Sequence, residues 1–207
     1  TPLYSSAASD VYKRQVKMFT RAFDINAAAN VVLAQAFLPA MISNNHGHFM
    51  TVASSASYFS LPNLCAYSMS KTAALAFLES LRAELRAVYK ACRVRTSVVT
   101  PTKVRTVLAE GLNEGDDDFL MPVLEPIQVA RAMADTLNSG LSRNISLPLG
   151  SALLPYLRAL PEWYRGALRA MGNTDALVTP ESISRGQQAL RGHQSNLDHM
   201  KKLGVHS

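Results

Sequence analysis

The 207-residue sequence predicts an α/β fold, in particular the C-terminal part of a doubly wound parallel sheet. Short apolar or β-branched runs alternate along the chain with long helical patterns, which indicates parallel strands with helices on both faces. The composition agrees with a folded core, because 48% of the residues are hydrophobic and 17% are charged. Right-handed crossovers between the strands are therefore expected.

The first predicted helix covers residues 16–44, and the first predicted strand covers residues 49–53. Side chains recur along the helix at alternating steps of four and three, which places them on one face. They are Phe19, Phe23, Asn26, Asn30, Leu33 and Phe37. A turn at 43–47 separates the helix from the strand, which ends in the polar run Ser54-Ser55-Ala56-Ser57.

The second helix and second strand follow the Leu61-Pro62-Asn63 turn. A long segment rich in alanine and leucine predicts a helix over residues 64–90. The β-branched residues that come next predict a strand over 94–99, which we expect Pro101 to stop.

The third helix begins after residues 105–124, which are predicted to be a loop or a short helix. Glu125-Pro126 opens this helix, since proline suits the first turn, and Gly140 ends it. The short run Asn144-Ile145-Ser146-Leu147 is the third predicted strand.

The charge distribution argues against a nucleic-acid partner. The formal net charge is +6, from 21 basic and 15 acidic side chains; the basic excess is spread along the chain, and the acids gather at Glu114 to Asp118. A nucleic-acid-binding surface usually gathers basic residues on one face and adds aromatic residues that stack on bases. The two cysteines and five histidines show no metal-ligand spacing. We therefore expect no metal site, and reduced thiols in a cytosol-facing protein.

The sequence Tyr67-Ser68-Met69-Ser70-Lys71 places a phenol and an ammonium one helical turn apart. A phenol ionises near pH 10, and an adjacent ammonium favours the phenolate, which makes the pair suitable for proton transfer near neutral pH. The pattern also occurs by chance in surface helices. Its context is more specific, because Ser54 lies 13 residues earlier, at the end of a buried strand where parallel sheets bind ligands. Ser55 and Ser57 are alternatives to Ser54.

Four separated blocks resemble the short-chain dehydrogenase/reductase family, in the family's order and with matching gaps. They are Phe23-Asp24-Ile25-Asn26, Phe37-Leu38-Pro39-Ala40-Met41, His46-Gly47-His48 with Val52-Ala53-Ser54, and Ala66-Tyr67-Ser68-Met69-Ser70-Lys71. The resemblance covers roughly residues 16–148. It implies a Rossmann-type sheet and a reaction that interconverts an alcohol and a ketone with NAD(H) or NADP(H).

The resemblance also implies roles for single residues. Tyr67 matches the catalytic acid/base, and Ser54 matches the residue that orients the substrate. Lys71 matches the residue that binds the nicotinamide ribose and lowers the pKa of the tyrosine. Asn26 matches a helical asparagine that holds a water in the proton relay, although a helix-packing role explains its position equally well without the resemblance. For Asn30 we expect only helix packing.

A further match lies in Pro101-Thr102-Lys103-Val104-Arg105-Thr106. The family usually has proline and glycine here, followed by a threonine that contacts the nicotinamide carboxamide. The resemblance therefore implies that Pro101 and Thr106 contact the cofactor, as Tyr67 and Lys71 do. Thr102 replaces the usual glycine and adds bulk at this position.

The N-terminal segment is not expected to belong to the fold. Residues 1–15 fit no targeting class, and Asp10-Val11-Tyr12-Lys13-Arg14-Gln15 resembles a translated sequencing adaptor. The first glycine is Gly47, so a glycine-rich phosphate loop and the strands around it are expected to be missing. The chain is then an inactive fragment in which the strand at 49–53 forms an exposed edge of the sheet.

The C-terminal part divides into two predicted segments after a catalytic domain over residues 16–150. Residues 151–178 combine leucine, tryptophan, tyrosine and arginine with two prolines, which suits either a lid or a helical hairpin in a membrane interface. Residues 179–207 form a polar tail. The segment resembles the extension of the retinol and hydroxysteroid dehydrogenase branch, whose members sit on endoplasmic reticulum or lipid droplets. This resemblance implies a small hydrophobic alcohol or ketone substrate.

Three functions remain open from the sequence. The first is a short-chain alcohol dehydrogenase. The second is a sugar-nucleotide epimerase, whose larger substrate domain is hard to fit into the residues after Pro148. The third is a non-catalytic binding protein at a membrane or lipid droplet. A homodimer is the assembly left open.

Overall fold

The computed structural model describes residues 16–109 and 122–171, together with residues 185 and 188. The predicted adaptor segment at 1–15 lies outside the described residues. So do residues 172–178 of the predicted lid or membrane segment and, apart from two isolated positions, the polar tail.

The described part of the chain contains a three-stranded sheet in the order β1-β2-β3. The strands are β1 (Gly47–Val52), β2 (Val94–Pro101) and β3 (Asn144–Leu147). Both neighbouring pairs are parallel, so the predicted α/β fold is confirmed. Within these residues β1 is an edge strand, as expected.

Four helices of eight or more residues accompany the strands in this part of the chain. They are α1 (Val16–Ser43), α2 (Cys65–Ala87), α3 (Pro126–Ser139) and α4 (Glu162–Met171). Helices α1 and α2 contact β1, and helices α2 and α3 contact β2. Strand β2 is buried along nearly its whole length, which requires cover on both faces of the sheet.

The predicted boundaries need three corrections, the first being that β1 covers Gly47–Val52 instead of residues 49–53. Strand β2 does not end before Pro101 but includes it as its last residue. The hydrogen bonds to β3 continue past the proline, since the Thr102 N–H donates to the Leu147 carbonyl oxygen at 2.8 Å. Helix α2 ends at Ala87, three residues before the predicted end, and Lys90 then takes a left-handed conformation with φ of 54°.

The face of α1 that packs on the core also differs from the predicted stripe. Ala34 and Leu38 are buried, whereas Phe23 and Phe37 on the predicted stripe are 40% and 56% exposed. The buried residues Ala27, Ala34 and Leu38 each come one position after a member of the predicted stripe, so the buried face is rotated by one residue from it. The helix also contains a π-helical turn at Asp24–Ala28. By length and composition α1 could also cross a bilayer, a test that core helices of soluble proteins pass as well.

The core is built mainly from α2 and β2. Leucines at steps of three and four on α2 pack against the strand, which follows from helical periodicity. The buried cluster contains Leu75, Leu78, Leu81, Leu85, Val94 and Val98. This packing fixes the first turns of α2, which carry Tyr67 and Lys71, against the carboxyl end of β1.

The third helix begins and ends as predicted. Glu125 caps its N-terminus in a capping box with Gln128, and Gly140 closes it in a left-handed conformation with φ of 63°. The chain then continues through β3 into a short helical stretch, Leu149–Leu153 and Leu154–Leu157, before α4. Pro161 lies between the second of these pieces and α4, whereas Pro155 lies in the first turn of Leu154–Leu157.

Candidate active site

Tyr67 and Lys71 lie on the first two turns of α2, beside the end of β1. Lys71 Nζ donates a hydrogen bond to the Val52 carbonyl oxygen at 2.9 Å. The same nitrogen lies 5.9 Å from the centre of the Tyr67 ring. The predicted neighbourhood of phenol and ammonium is therefore present, with the ammonium hydrogen-bonded to the strand.

Ser54 is the serine that contacts Tyr67, through a hydrogen bond between their side chains. Ser54 lies two residues after the last residue of β1, in an extended conformation, and its Oγ also accepts the Ala56 N–H at 3.2 Å. Of the two alternatives, Ser57 is buried with an Oγ that has no hydrogen-bond partner among the described residues. The geometry favours Ser54 over Ser55 and Ser57.

The expected lowering of the tyrosine pKa by Lys71 stays a prediction, and burial acts against it in this structure. Burial raises the pKa of Tyr67 above its ordinary value, and the hydrogen bond from Ser54 offsets only part of that rise. Burial also lowers the pKa of Lys71. The reason is desolvation: both charged forms lose water, and the hydrogen bond of the ammonium goes to a backbone carbonyl instead of the phenol oxygen.

Asn26 reaches the catalytic helix through its side chain. Asn26 Nδ2 donates to Ser70 Oγ at 3.0 Å, and Ser70 Oγ in turn donates to the Tyr67 carbonyl oxygen at 2.8 Å. Asn26 sits in the π-helical turn of α1, so the position that the resemblance marked is also an irregular one. The site thus joins α1, β1 and α2.

Three residues of this network were missed as site residues by the sequence analysis. Asn30 Nδ2 donates to the Asn26 carbonyl oxygen at 2.7 Å, and Thr51 Oγ1 donates to Asn30 Oδ1 at 3.2 Å. Ser70 is the third, and like Thr51 it is almost completely buried. A signal was available, since Asn30 shares a helix face with Asn26 and Ser70 lies inside the Tyr-x-x-x-Lys segment.

Pro101 and Thr106 follow the neighbouring strand. Pro101 is buried at the end of β2, at the same sheet edge as Ser54, because Ala53 N–H donates to the Val99 carbonyl oxygen at 2.9 Å. Thr106 is exposed and hydrogen-bonds the Val104 carbonyl oxygen at 3.4 Å. The structure thus brings Pro101 to the reactive edge and leaves Thr106 in the loop beyond it.

That loop is fixed to the start of α3. Val104 and Leu124 form an isolated parallel bridge, and Arg105 forms a 2.8 Å ion pair with Glu125. Thr102, which replaces the glycine common in the family, has a buried hydroxyl without a hydrogen-bond partner in the described part of the chain.

A cavity of about 790 Å³ lies between α2 and the C-terminal segment. It is lined by Ser60, Leu61, Pro62, Cys65, Ser68, Met69, Thr72, Ala73, Ala76, Arg158 and Arg169. Neither Tyr67 nor Ser54 lines it, so this cavity lies beside the Tyr67–Ser54 contact and does not include it.

The sequence matches a known family over more than half of its length. Residues 5–117 match the family described as short chain dehydrogenase. Estradiol 17-beta-dehydrogenase 11 of Homo sapiens is 37% identical over 163 residues, which are 78% of this chain and 52% of that protein. Epidermal retinol dehydrogenase 2 of Mus musculus is 37% identical over 120 residues, which are 58% of this chain and 38% of that protein. The chain spans about half the length, or less, of these curated relatives.

Solved structures agree on the fold. A short chain dehydrogenase from Burkholderia cenocepacia in complex with NADP is 26% identical and has a TM-score of 0.54. The match covers 76% of this chain and 58% of that chain. Acetoin dehydrogenase from Enterobacter cloacae has the same TM-score at 17% identity, covering 66% of this chain and 55% of that chain. The second likeness supports the fold alone.

Proposed function

This chain belongs to the short-chain dehydrogenase family, and from that premise we propose that its full-length protein is an NAD(P)-dependent oxidoreductase. The reaction would interconvert a hydrophobic alcohol and its ketone or aldehyde. The observation that carries the proposal is the hydrogen bond between Tyr67 and Ser54 at the end of β1, with Lys71 on the next turn of α2.

Two hydroxyl groups that share a hydrogen bond can both contact one substrate oxygen. In the proposed reduction, the substrate carbonyl oxygen replaces Tyr67 as the acceptor of the single Ser54 O–H, while the Tyr67 phenol donates its proton to that same oxygen. In the oxidation, the phenolate accepts the proton of the alcohol. Lys71 Nζ lies 5.9 Å from the ring centre, and its positive charge would favour the phenolate, but in the free chain burial outweighs that effect and raises the pKa of Tyr67.

The donor groups of this chain fit the nicotinamide end of the cofactor. A lysine ammonium has three N–H donors, and one of those of Lys71 is used by the Val52 carbonyl oxygen. The remaining donors suit the hydroxyls of a ribose. Pro101 and Thr106 would hold the nicotinamide from the end of β2. When bound, this group gives or takes the hydride.

The substrate class is inferred from the relatives. The two relatives are named for estradiol and retinol, both hydrophobic alcohols. We extend that class to this chain: a small, largely apolar alcohol or ketone. The apolar C-terminal segment agrees with it, since such substrates partition into membranes.

We also propose that residues 149–171 lie in a membrane interface. Four large apolar side chains of this segment are between 69% and 85% exposed, namely Leu149, Leu153, Tyr156 and Trp163. Arg158 is also exposed and adds positive charge beside them. This mixture of aromatic, aliphatic and basic side chains is typical of interfacial segments. The corresponding locations are the cytosolic surface of the endoplasmic reticulum or of lipid droplets.

The test of the oxidoreductase function is Tyr67→Phe in the full-length protein. Turnover of a retinoid or steroid alcohol is followed by the absorbance of the reduced nicotinamide. We expect a loss of about 10²-fold or more, because the phenol is the proton donor and acceptor. Tyr89→Phe, at a half-exposed position after α2, is the matched control. Undiminished turnover in Tyr67→Phe would remove the acid/base role from Tyr67, whereas no turnover in the wild-type protein would favour the non-catalytic binding protein.

A further inference from the structure

Asn30 stands out because both ends of its side-chain amide are hydrogen-bonded to different elements. Its Nδ2 donates to the Asn26 carbonyl oxygen in α1 at 2.7 Å, and its Oδ1 accepts from Thr51 Oγ1 in β1 at 3.2 Å. Thr51 is only 1% exposed. A buried hydroxyl without its partner is costly, so this bond ties the helix firmly to the strand.

The bond to Asn26 is made where α1 is irregular. Asn26 belongs to the π-helical turn Asp24–Ala28, in which the regular hydrogen-bond ladder of the helix is interrupted. The Asn30 amide gives the Asn26 carbonyl oxygen a donor in this turn. It therefore helps to fix the direction in which the Asn26 side chain leaves the helix.

From Asn26 the network continues to the catalytic turn of α2. Asn26 Nδ2 donates to Ser70 Oγ, which donates to the carbonyl oxygen of Tyr67. At the other end, Thr51 directly precedes Val52, whose carbonyl oxygen accepts the hydrogen bond from Lys71. Both ends of the network thus reach the tyrosine–lysine pair, one through α1 and one through β1.

We propose that Asn30 is a positioning residue for Tyr67 and Lys71, acting together with Thr51. Its two hydrogen bonds hold the Asn26 turn against β1 and keep the catalytic turn of α2 at a fixed distance from the strand end. The proposal rests on the oxidoreductase function proposed above. It assigns the residue a role that helix packing alone would not require.

Two substitutions of Thr51 test the network with little change in shape. Thr51→Val removes the hydroxyl that donates a hydrogen bond to Asn30, and Thr51→Ser keeps it. In the full-length protein we expect Thr51→Val to lower kcat by about tenfold or more, because small displacements of a reacting group are costly. KM should stay within roughly twofold, and the pH profile should shift. Thr51→Ser should keep the wild-type kcat and pH profile, and Asn30→Ala should behave like Thr51→Val.

A second readout does not depend on turnover. The pH midpoint for acylation of Lys71, followed by mass spectrometry, reports the pKa of its amine. Loosening the network should admit water and raise this midpoint in Thr51→Val and Asn30→Ala, while the exposed Lys90 stays unchanged. Thr51→Ser should keep the wild-type midpoint.

The two readouts separate the possible failures. If the wild-type protein has no turnover, the proposed function fails, and the Lys71 midpoint still decides the role of Asn30. If Thr51→Val lowers the melting temperature but leaves kcat, the pH profile and the Lys71 midpoint unchanged, Asn30 is a packing residue and the inference is overturned.

Discussion

Lys71 Nζ lies 5.9 Å from the centre of the Tyr67 ring, yet its hydrogen bond goes to the carbonyl oxygen of Val52 at 2.9 Å. Burial consequently acts on both groups with little compensation. It raises the pKa of Tyr67 and lowers the pKa of Lys71. The two shifts have opposite signs, and both act against an ammonium–phenolate pair in the free protein.

The first prediction concerns the pH dependence of the reaction. Because the pKa of Tyr67 is raised above its ordinary value of about 10, the phenol stays protonated throughout the neutral range. For ketone reduction, kcat/KM should be flat near neutral pH and fall only above pH 10 or so. For alcohol oxidation, kcat/KM should still be rising at about pH 10.

The same shifts set the direction of the stability changes. The pKa of Tyr67 is higher in the folded than in the unfolded state. Its contribution to the stability of the fold is therefore present at a pH below the unfolded-state pKa and is lost as the pH rises through the folded-state pKa. The pKa of Lys71 is lowered in the folded state, so its contribution to stability is lost as the pH falls through the folded-state pKa.

One result would contradict the kinetic prediction. If kcat/KM for oxidation levels off well below pH 9 or so, the ammonium of Lys71, and not burial, sets the pKa of the phenol.

The second prediction concerns Ser54. Ser54→Ala removes a hydrogen bond that lowers the pKa of Tyr67, together with the donor that we propose for the substrate oxygen. We expect turnover to fall by about 10²–10³-fold, as for the loss of one donor at a developing oxyanion. The alkaline limb of the profile should also move to higher pH.

Ser55→Ala is the matched control, since Ser55 contributes backbone carbonyl hydrogen bonds to Tyr58 and Phe59 that alanine preserves. Its turnover should stay near that of the wild type. A larger loss in Ser55→Ala than in Ser54→Ala would reassign the substrate-orienting role.

The sequence predicted those features that depend on local spacing. A step of four residues places Tyr67 and Lys71 on one helix face, and the alternation of elements predicted parallel strands, which the structure confirms. The hydrogen bond of Lys71 to Val52 and the contact of Asn30 with Thr51 join residues 19 and 21 positions apart. They depend on how α1 and α2 pack on β1, and spacing along the chain gives no access to that.

The phase of α1 illustrates the same limit. A regular period of 3.6 residues assigned Phe23 and Phe37 to the buried face, but the buried residues lie one position further along and leave both phenylalanines exposed. One residue corresponds to about 100° around a helix, so the spacing gives the faces of α1 but not which of them meets the sheet.

The third prediction concerns the core. Leu78 is 1% exposed in the middle of α2, within the cluster that fixes this helix on the sheet. Leu78→Ala should lower the free energy of unfolding of the full-length protein by about 2–5 kcal/mol, measured by denaturant titration. Leu137→Ala on α3, where the leucine is 46% exposed, is the matched control and should cost much less. Equal losses would contradict the assignment of the core.

The fourth prediction separates a membrane-interface segment from a lid. Trp163 is 74% exposed and is the single tryptophan of the 207-residue chain, so its fluorescence reports on this segment alone. With anionic phospholipid vesicles we expect its emission to shift to shorter wavelength, because the indole enters the headgroup region. Leu153→Asp should abolish the shift by placing a charge on the inserting surface, whereas Val88→Asp, at a residue that is 66% exposed after α2, should preserve it. A lid closed over a substrate cleft requires the opposite result: emission that ignores vesicles and responds to a hydrophobic alcohol.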